Sequence, residues 1–140
     1  MEDQAVSEHQ IDVIAGPEAA AVARTAVAGA GVRQLETRID DVQLAISEVV
    51  TNAVRHGRLR EGVDAVRVIV GVEGNSVRVT VEQPTTAAGV QIKEPRLEQD
   101  DPGGLGMRIV DHVSDDWGHD AGPPGRVWFE FHLDRSRSGT

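Results

Sequence analysis

The chain has 140 residues, 39% hydrophobic and 26% charged, which fits one globular domain with a real core and excludes a disordered or membrane-spanning chain. Its formal charge of −9 argues against nucleic acid or an anionic membrane as partner and suits a protein with basic patches. Two Phe, two Trp, no Tyr and no Cys leave the core to Val, Ile, Leu and Ala, with little aromatic surface for single-stranded nucleic acid and no thiolate or disulfide chemistry.

The opening Met1-Glu2-Asp3-Gln4 lacks the basic and apolar regions of a signal peptide, so the cytoplasm is the expected compartment. Ile11 to Ile14 alternates as a short strand. Gly16-Pro17 opens a helix with an Ala-rich body from Glu18 to Ala28, and Gly29 and Gly31 close it. A second helix runs from about Glu36 to His56, with Ile39, Val42, Ile46, Val49 and Ala53 forming an amphipathic seam. Val66, Val68, Val70 and Val72 alternate on one strand, and Val77, Val79 and Val81 on the next. Glu73-Gly74-Asn75-Ser76 reads as the hairpin turn between them.

A polar, Pro- and Gly-rich loop spans residues 83 to about 104, long enough to be a lid over a ligand. A short helix follows from about Leu105 to Val113. Asp115 to His119 and Val127 to Leu133 form a last hairpin around Gly122-Pro123-Pro124-Gly125, and 134–140 is a polar tail. The order β-α-α-β-β-loop-α-β-β predicts a single domain over 1–140 of the α+β class. Its form is a two-layer sandwich with a mixed, mainly antiparallel sheet and helices on one face.

Two constellations carry chemistry. Glu48, Asn52 and His56 recur every four residues and stack on one face of the second helix. A solvated polar face is the ordinary meaning of such a stripe. Asn is a mediocre mid-helix residue, however, because its side chain competes for backbone hydrogen bonds, so something wants a carboxamide there. The second constellation is Gly103-Gly104-Leu105-Gly106-Met107, directly before Arg108 at the start of a helix. Glycines let backbone N–H groups approach an anion, and a helix N-terminus offers orphan donors; the bland alternative is a flexible turn. His112 and His119 have no Cys nearby and read as ordinary histidines, Ser47 and Ser114 lack a nucleophile elbow, and Trp117 and Trp128 read as core or cross-strand packing.

Together these elements resemble the GHKL ATPase superfamily, named for gyrase, heat-shock protein 90, histidine kinases and MutL. Glu48-x-x-x-Asn52-Ala53-x-x-His56-Gly57 resembles its N box, and Gly103 to Val110 resembles the second glycine box of the small anti-sigma-factor serine kinases, the RsbW and SpoIIAB type. Asp116-Trp117-Gly118 and Gly125 to Glu130 resemble that branch's C-terminal hairpin. The resemblance implies a Bergerat-type sandwich binding ATP and Mg²⁺ between the helical layer and the lid. Asn52 would coordinate Mg²⁺ and Glu48 would be the general base. His56, Gly57, Gly103, Gly104, Leu105, Gly106, Met107 and Arg108 would line the nucleotide. Partners implied are a sigma factor, a STAS-type antagonist phosphorylated on serine, and a second copy in a homodimer whose surface would be the first helix and the strand before it.

One box departs. Where the family has Asp-x-Gly-x-Gly, with its Asp accepting from the adenine amino group, this chain has Glu82-Gln83-Pro84-Thr85-Thr86. Gln83 falls nearest the Asp position; its carbonyl can accept the bond without the charge, at a cost of roughly 1.5–3 kcal/mol. Arg126 also stands where a Thr is common. Two functions therefore compete: an ATP-dependent serine kinase that doubles as an anti-sigma factor, and a catalytically degenerate module that sequesters a sigma factor or antagonist. A free-standing ATPase ranks last, since this chain offers no transducing domain.

Overall fold

The computed structural model describes residues 6–56, 59–83, 104–120 and 124–133. The elements in chain order are β1 (Val6–Ile14), α1 (Ala19–Gly29), a 3-10 helix (Arg33–Arg38), α2 (Ile39–His56), β2 (Ala65–Glu73), β3 (Ser76–Glu82), α3 (Gly104–Val113), β4 (Asp116–Asp120) and β5 (Arg126–His132). They form an α+β sandwich whose five-stranded sheet has the order β1-β2-β3-β5-β4. The predicted lid over 83–104 and tail over 134–140 fall largely outside the described residues.

Valine alternation builds the sheet. Val68 pairs with Val81, Val70 with Val79 and Val72 with Val77, all on the face that meets the helices. Phe129 and Phe131 of β5 extend this layer opposite Val79 and Val77. Their rings meet edge to face at 5.9 Å, and both are fully buried. From above, α2 contributes Val42, Ala45, Ile46, Val49, Val50 and Ala53 to the same core. Helix α1 adds the small side chains Ala19 and Ala23, with Val27 beyond them. Helices α1 and α3 each pack along α2.

The bounds of four elements and one pairing differ from the sequence expectations. Strand β1 begins at Val6 rather than Ile11, because β2 offers backbone partners from Ile69 to Glu73 to the polar stretch before Ile11. The second helix starts as a 3-10 turn with Leu35 buried in it, and becomes α-helical only at Ile39. Strands β4 and β5 are each shifted by a residue, to Asp116–Asp120 and Arg126–His132. The sheet is not mixed: all its pairings are antiparallel, since β5 enters beside β3 from the reverse direction after β4. Gly74 takes φ +61° at the β2–β3 turn, where a side chain would be strained.

The outer face of the sheet is polar. Asp12 pairs with Arg67 at 3.1 Å, Glu82 with Arg126 at 3.1 Å, and Arg126 also with Asp120 at 3.5 Å. Register sets Arg67 beside Glu82, so charges alternate in one row across all five strands. Each exposed pair contributes about 0–1 kcal/mol, so the row fixes register more than it stabilises. Trp128 lies on this face under the Arg78 guanidinium, 4.1 Å from its ring centroid. It covers Gly118, where a Cβ would fall 2.5 Å from the indole; no other residue fits without moving it. Trp117 lies on the inner side, and its indole N–H donates to Asp111 of α3 at 2.8 Å.

Arg38 joins the layers at the far end. Its guanidinium donates to the Val113 carbonyl at the end of α3 at 2.8 Å, reaches Asp115 at 3.5 Å, and stacks 4.9 Å from the Phe131 centroid. Substitution Arg38→Met keeps the apolar stem and removes these bonds. It is expected to lower stability by about 1–3 kcal/mol in urea unfolding; an unchanged midpoint would show that Arg38 is a spectator.

Candidate functional site

Glu48 and Asn52 lie half-buried on α2, beside its buried residues Val49, Val50 and Ala53. The helix is amphipathic, so its apolar seam fixes its rotation on the sheet and thereby sets the direction of the polar stripe. His56 is the last residue of α2. Next to Glu48, Ser47 is locked in place: it accepts from Arg24 of α1 at 2.9 Å and donates to the Gln43 carbonyl at 2.8 Å.

Helix α3 runs antiparallel to α2. Its last residue, Val113, is bonded to Arg38 at the start of α2, and the two helices lie alongside each other. Ten residues of α-helix span about 15 Å. The first turn of α3, Gly104 to Met107, therefore comes to the level of Glu48 and Asn52, about ten residues into α2. Arg108 is exposed within α3. Gly57 and Gly103 lie outside the described residues.

Gln83, just past β3, is the only buried polar side chain among the described residues, at 7% exposure. Its backbone N–H donates to Gly125 at the start of β5, at 2.8 Å. Its side-chain Nε2 donates to the Ala53 carbonyl at 3.3 Å. Ala53 lies in the last turn of α2, so this bond ties the end of β3 to that helix. Its Oε1 is buried and has no partner among the described residues. A buried acceptor left without a donor costs about 1–3 kcal/mol.

Sequence reasoning found Gln83 by position but missed its bond to α2. Arg126 points the other way: it pairs with Glu82 and Asp120 on the outer face, and Val127 faces inward beside Val81. The Arg in place of Thr therefore does not enter the inner side. A cavity of about 390 Å³ opens on the outer face around Asp12, Arg67 and Glu82, with Gln83 at its rim. Neither Glu48 nor Asn52 lines it, so it is separate from the stripe on α2. Also on its wall is Asp64, which accepts from the Arg60 backbone N–H at 2.6 Å and from its guanidinium at 3.3 Å. Those two bonds hold its carboxyl below the usual range. The folded form is favoured above about pH 4, and that contribution fades as the pH falls through the lowered value.

A sandwich with an N-box helix, an antiparallel partner helix opening on glycines and a buried acceptor past the third strand is an ATPase sandwich of the GHKL kind. The family model for the histidine kinase-like ATPase domain matches residues 13–127, and the chain belongs to that family. Its fold is similar to the crystal structure of the RsbU and RsbW domains of Rv1364c from Mycobacterium tuberculosis, with a TM-score of 0.60 and 22% identity over 92% of this chain. The chain spans about a third of that protein's length, the match covering 33% of it. A search of curated proteins gave no match. Among the described residues no helix is long and apolar enough to cross a membrane.

Proposed function

We propose that this domain binds ATP with Mg²⁺ and acts as a cytoplasmic serine kinase and anti-sigma factor. Its protein partners are a sigma factor and a STAS-type antagonist, and it phosphorylates the antagonist. The observation that carries the reading is the half-buried Glu48/Asn52 pair on α2, level with the glycine-led N-terminus of α3. The family match, which implies ATP binding, supports it.

The donor set fits. Mg²⁺ prefers oxygen ligands, keeps several waters, and takes one or two protein groups plus phosphate oxygens, and the Asn52 carboxamide oxygen suits that role. The bound ion would neutralise charge on the transferring phosphoryl group. Glu48 takes the proton from the partner serine as its hydroxyl oxygen bonds to the γ-phosphorus and ADP departs. The family resemblance assigns His56, Gly57, Gly103, Gly104, Leu105, Gly106 and Met107 to the nucleotide site, where backbone N–H groups at the start of α3 would meet the phosphates and Arg108 would add a positive charge. Dimerisation would use α1 and β1; β1 is an edge strand among the described residues, where a second chain can add.

Calorimetry with ATP and Mg²⁺ tests the reading. We expect submillimolar binding in the wild type. In Asn52→Ala, affinity in Mg²⁺ should fall about 10- to 100-fold and the difference between Mg²⁺ and EDTA should vanish. Silence with the wild type at millimolar ATP would remove the kinase reading. It would favour the other one, a sequestering module without catalysis, which draws on the uncharged Gln83 at the family's Asp position.

A further inference from the structure

Helix α1 meets α2 along a smooth surface. Its buried side chains are Ala19, Ala23 and Val27, and the two helices pack against each other. Alanines interdigitate little, so apolar contact alone fixes poorly how far one helix sits along the other. Polar side chains supply that register. The Arg24 guanidinium on α1 donates to the Ser47 hydroxyl oxygen at 2.9 Å. The Ser47 hydroxyl donates its proton to the Gln43 carbonyl at 2.8 Å, one turn back on α2. The Gln43 amide nitrogen returns to α1 and donates to the Arg24 carbonyl at 3.2 Å. Three bonds thus close a ring between the helices.

All three ring members are half-buried. The single hydroxyl proton of Ser47 is committed to Gln43, and one of its lone pairs to Arg24. Arg38, Arg60, Arg67, Arg78 and Arg126 each meet a carboxylate, whereas Arg24 meets none among the described residues. A carboxylate at position 47 would hold the guanidinium more strongly, but it would also set a second negative charge beside Glu48. Serine orients Arg24 without that charge. Glu48 follows Ser47 directly in the chain. The apolar seam of α2 sets the rotation of the helix, and the ring sets where along α1 this turn stops. Chemistry is sensitive to such placement: a displacement of about 1 Å can cost about 10²-fold in rate.

We infer that Arg24 is a positioning residue for phosphoryl transfer: through Ser47 it holds the turn of α2 that presents Glu48 to the incoming serine. The inference rests on the kinase reading above, which makes Glu48 the base. It gives α1 a part in the chemistry that no residue of that helix performs directly.

Substitution Ser47→Ala removes the hydroxyl, and alanine is the better helix former, so α2 stays intact. Arg24→Met keeps the apolar stem and removes the donor. Each is expected to lower phosphoryl transfer to a STAS partner already shown to bind the protein, by about 10- to 100-fold at saturating ATP and Mg²⁺. Calorimetry should give both variants an ATP affinity within about twofold of the wild type. The double variant should lose no more than the worse single one, because the ring acts as a unit. Ser47→Thr restores the hydroxyl and should recover most of the rate. In the protein without nucleotide, the Glu48 carboxyl resonance should move in Ser47→Ala and Arg24→Met and return in Ser47→Thr. Full-rate transfer by either deletion variant, a loss confined to ATP affinity, additive losses in the double variant, no rescue by Ser47→Thr or an unmoved Glu48 resonance would each overturn the inference while the kinase reading stands. Wild-type protein that binds no ATP, or transfers no phosphate to its bound partner, would instead overturn the kinase reading, and this inference with it.

Discussion

Replacing Glu48 by glutamine is expected to lower phosphoryl transfer to a partner serine by about 10²- to 10⁴-fold while ATP and Mg²⁺ still bind. Glutamine keeps the shape and most of the hydrogen bonding of the side chain but cannot take the serine proton. Glu48 is half-buried beside Val49 and the locked Ser47, so its direction is set by the helix and not by a flexible tether. Among the described residues no cation pairs with it. On the proposed reading Asn52, one turn further on, serves binding rather than proton transfer. The two substitutions should therefore separate: Asn52→Ala acts on affinity, Glu48→Gln on the rate at saturating nucleotide. Mass spectrometry of a STAS partner already shown to bind the protein reads the phosphoserine directly. Full-rate transfer by Glu48→Gln would remove Glu48 as the base, whatever the fate of the ATP site.

Much of this arrangement is legible in the chain because it depends on local periodicity. The valines of β2 and β3 alternate without a break, so their shared buried face follows from the pleat alone. The seam of α2 runs unbroken from Ile39 to Ala53, and the Glu48–Asn52 stripe is fixed relative to it by the turn of an α-helix. Contacts made across the sequence are another matter. The Gln83–Ala53 bond joins residues 30 apart, and nothing near Gln83 in the chain announces a helix carbonyl as its partner. Arg38 meets Val113, 75 positions away, and reads in sequence as one more charge at a helix start. The first residues of β1 are polar and carry no strand signal; they are extended because β2 provides the ladder. The row from Asp12 to Asp120 becomes visible only when strand order is known, since its members come from five separate segments.

Phe129→Ala is expected to cost about 3–5 kcal/mol, the largest stability loss of any single truncation considered, because it empties space that the rest of this core cannot refill. The chain has only two Phe, and both are fully buried side by side on β5. Phe129 lies between Val79 of β3 and Trp117 of β4 in the pairing register, in the middle of the sheet half that carries α3. Val79 beside it is too short and too stiff at χ1 to swing into the void. Phe129→Leu keeps most of the volume and should cost under about 1.5 kcal/mol, so the difference between the two variants in urea unfolding measures packing rather than hydrophobicity in general. A cost for Phe129→Ala below about 1 kcal/mol would mean that β5 is not closed over as described. The same strand begins beside Gly125, whose carbonyl holds the Gln83 backbone. Loosening β5 should therefore also loosen the Gln83 backbone, at temperatures where the protein is still folded. A core residue remote from Glu48 and Asn52 would then act on the end of β3 through a single hydrogen bond.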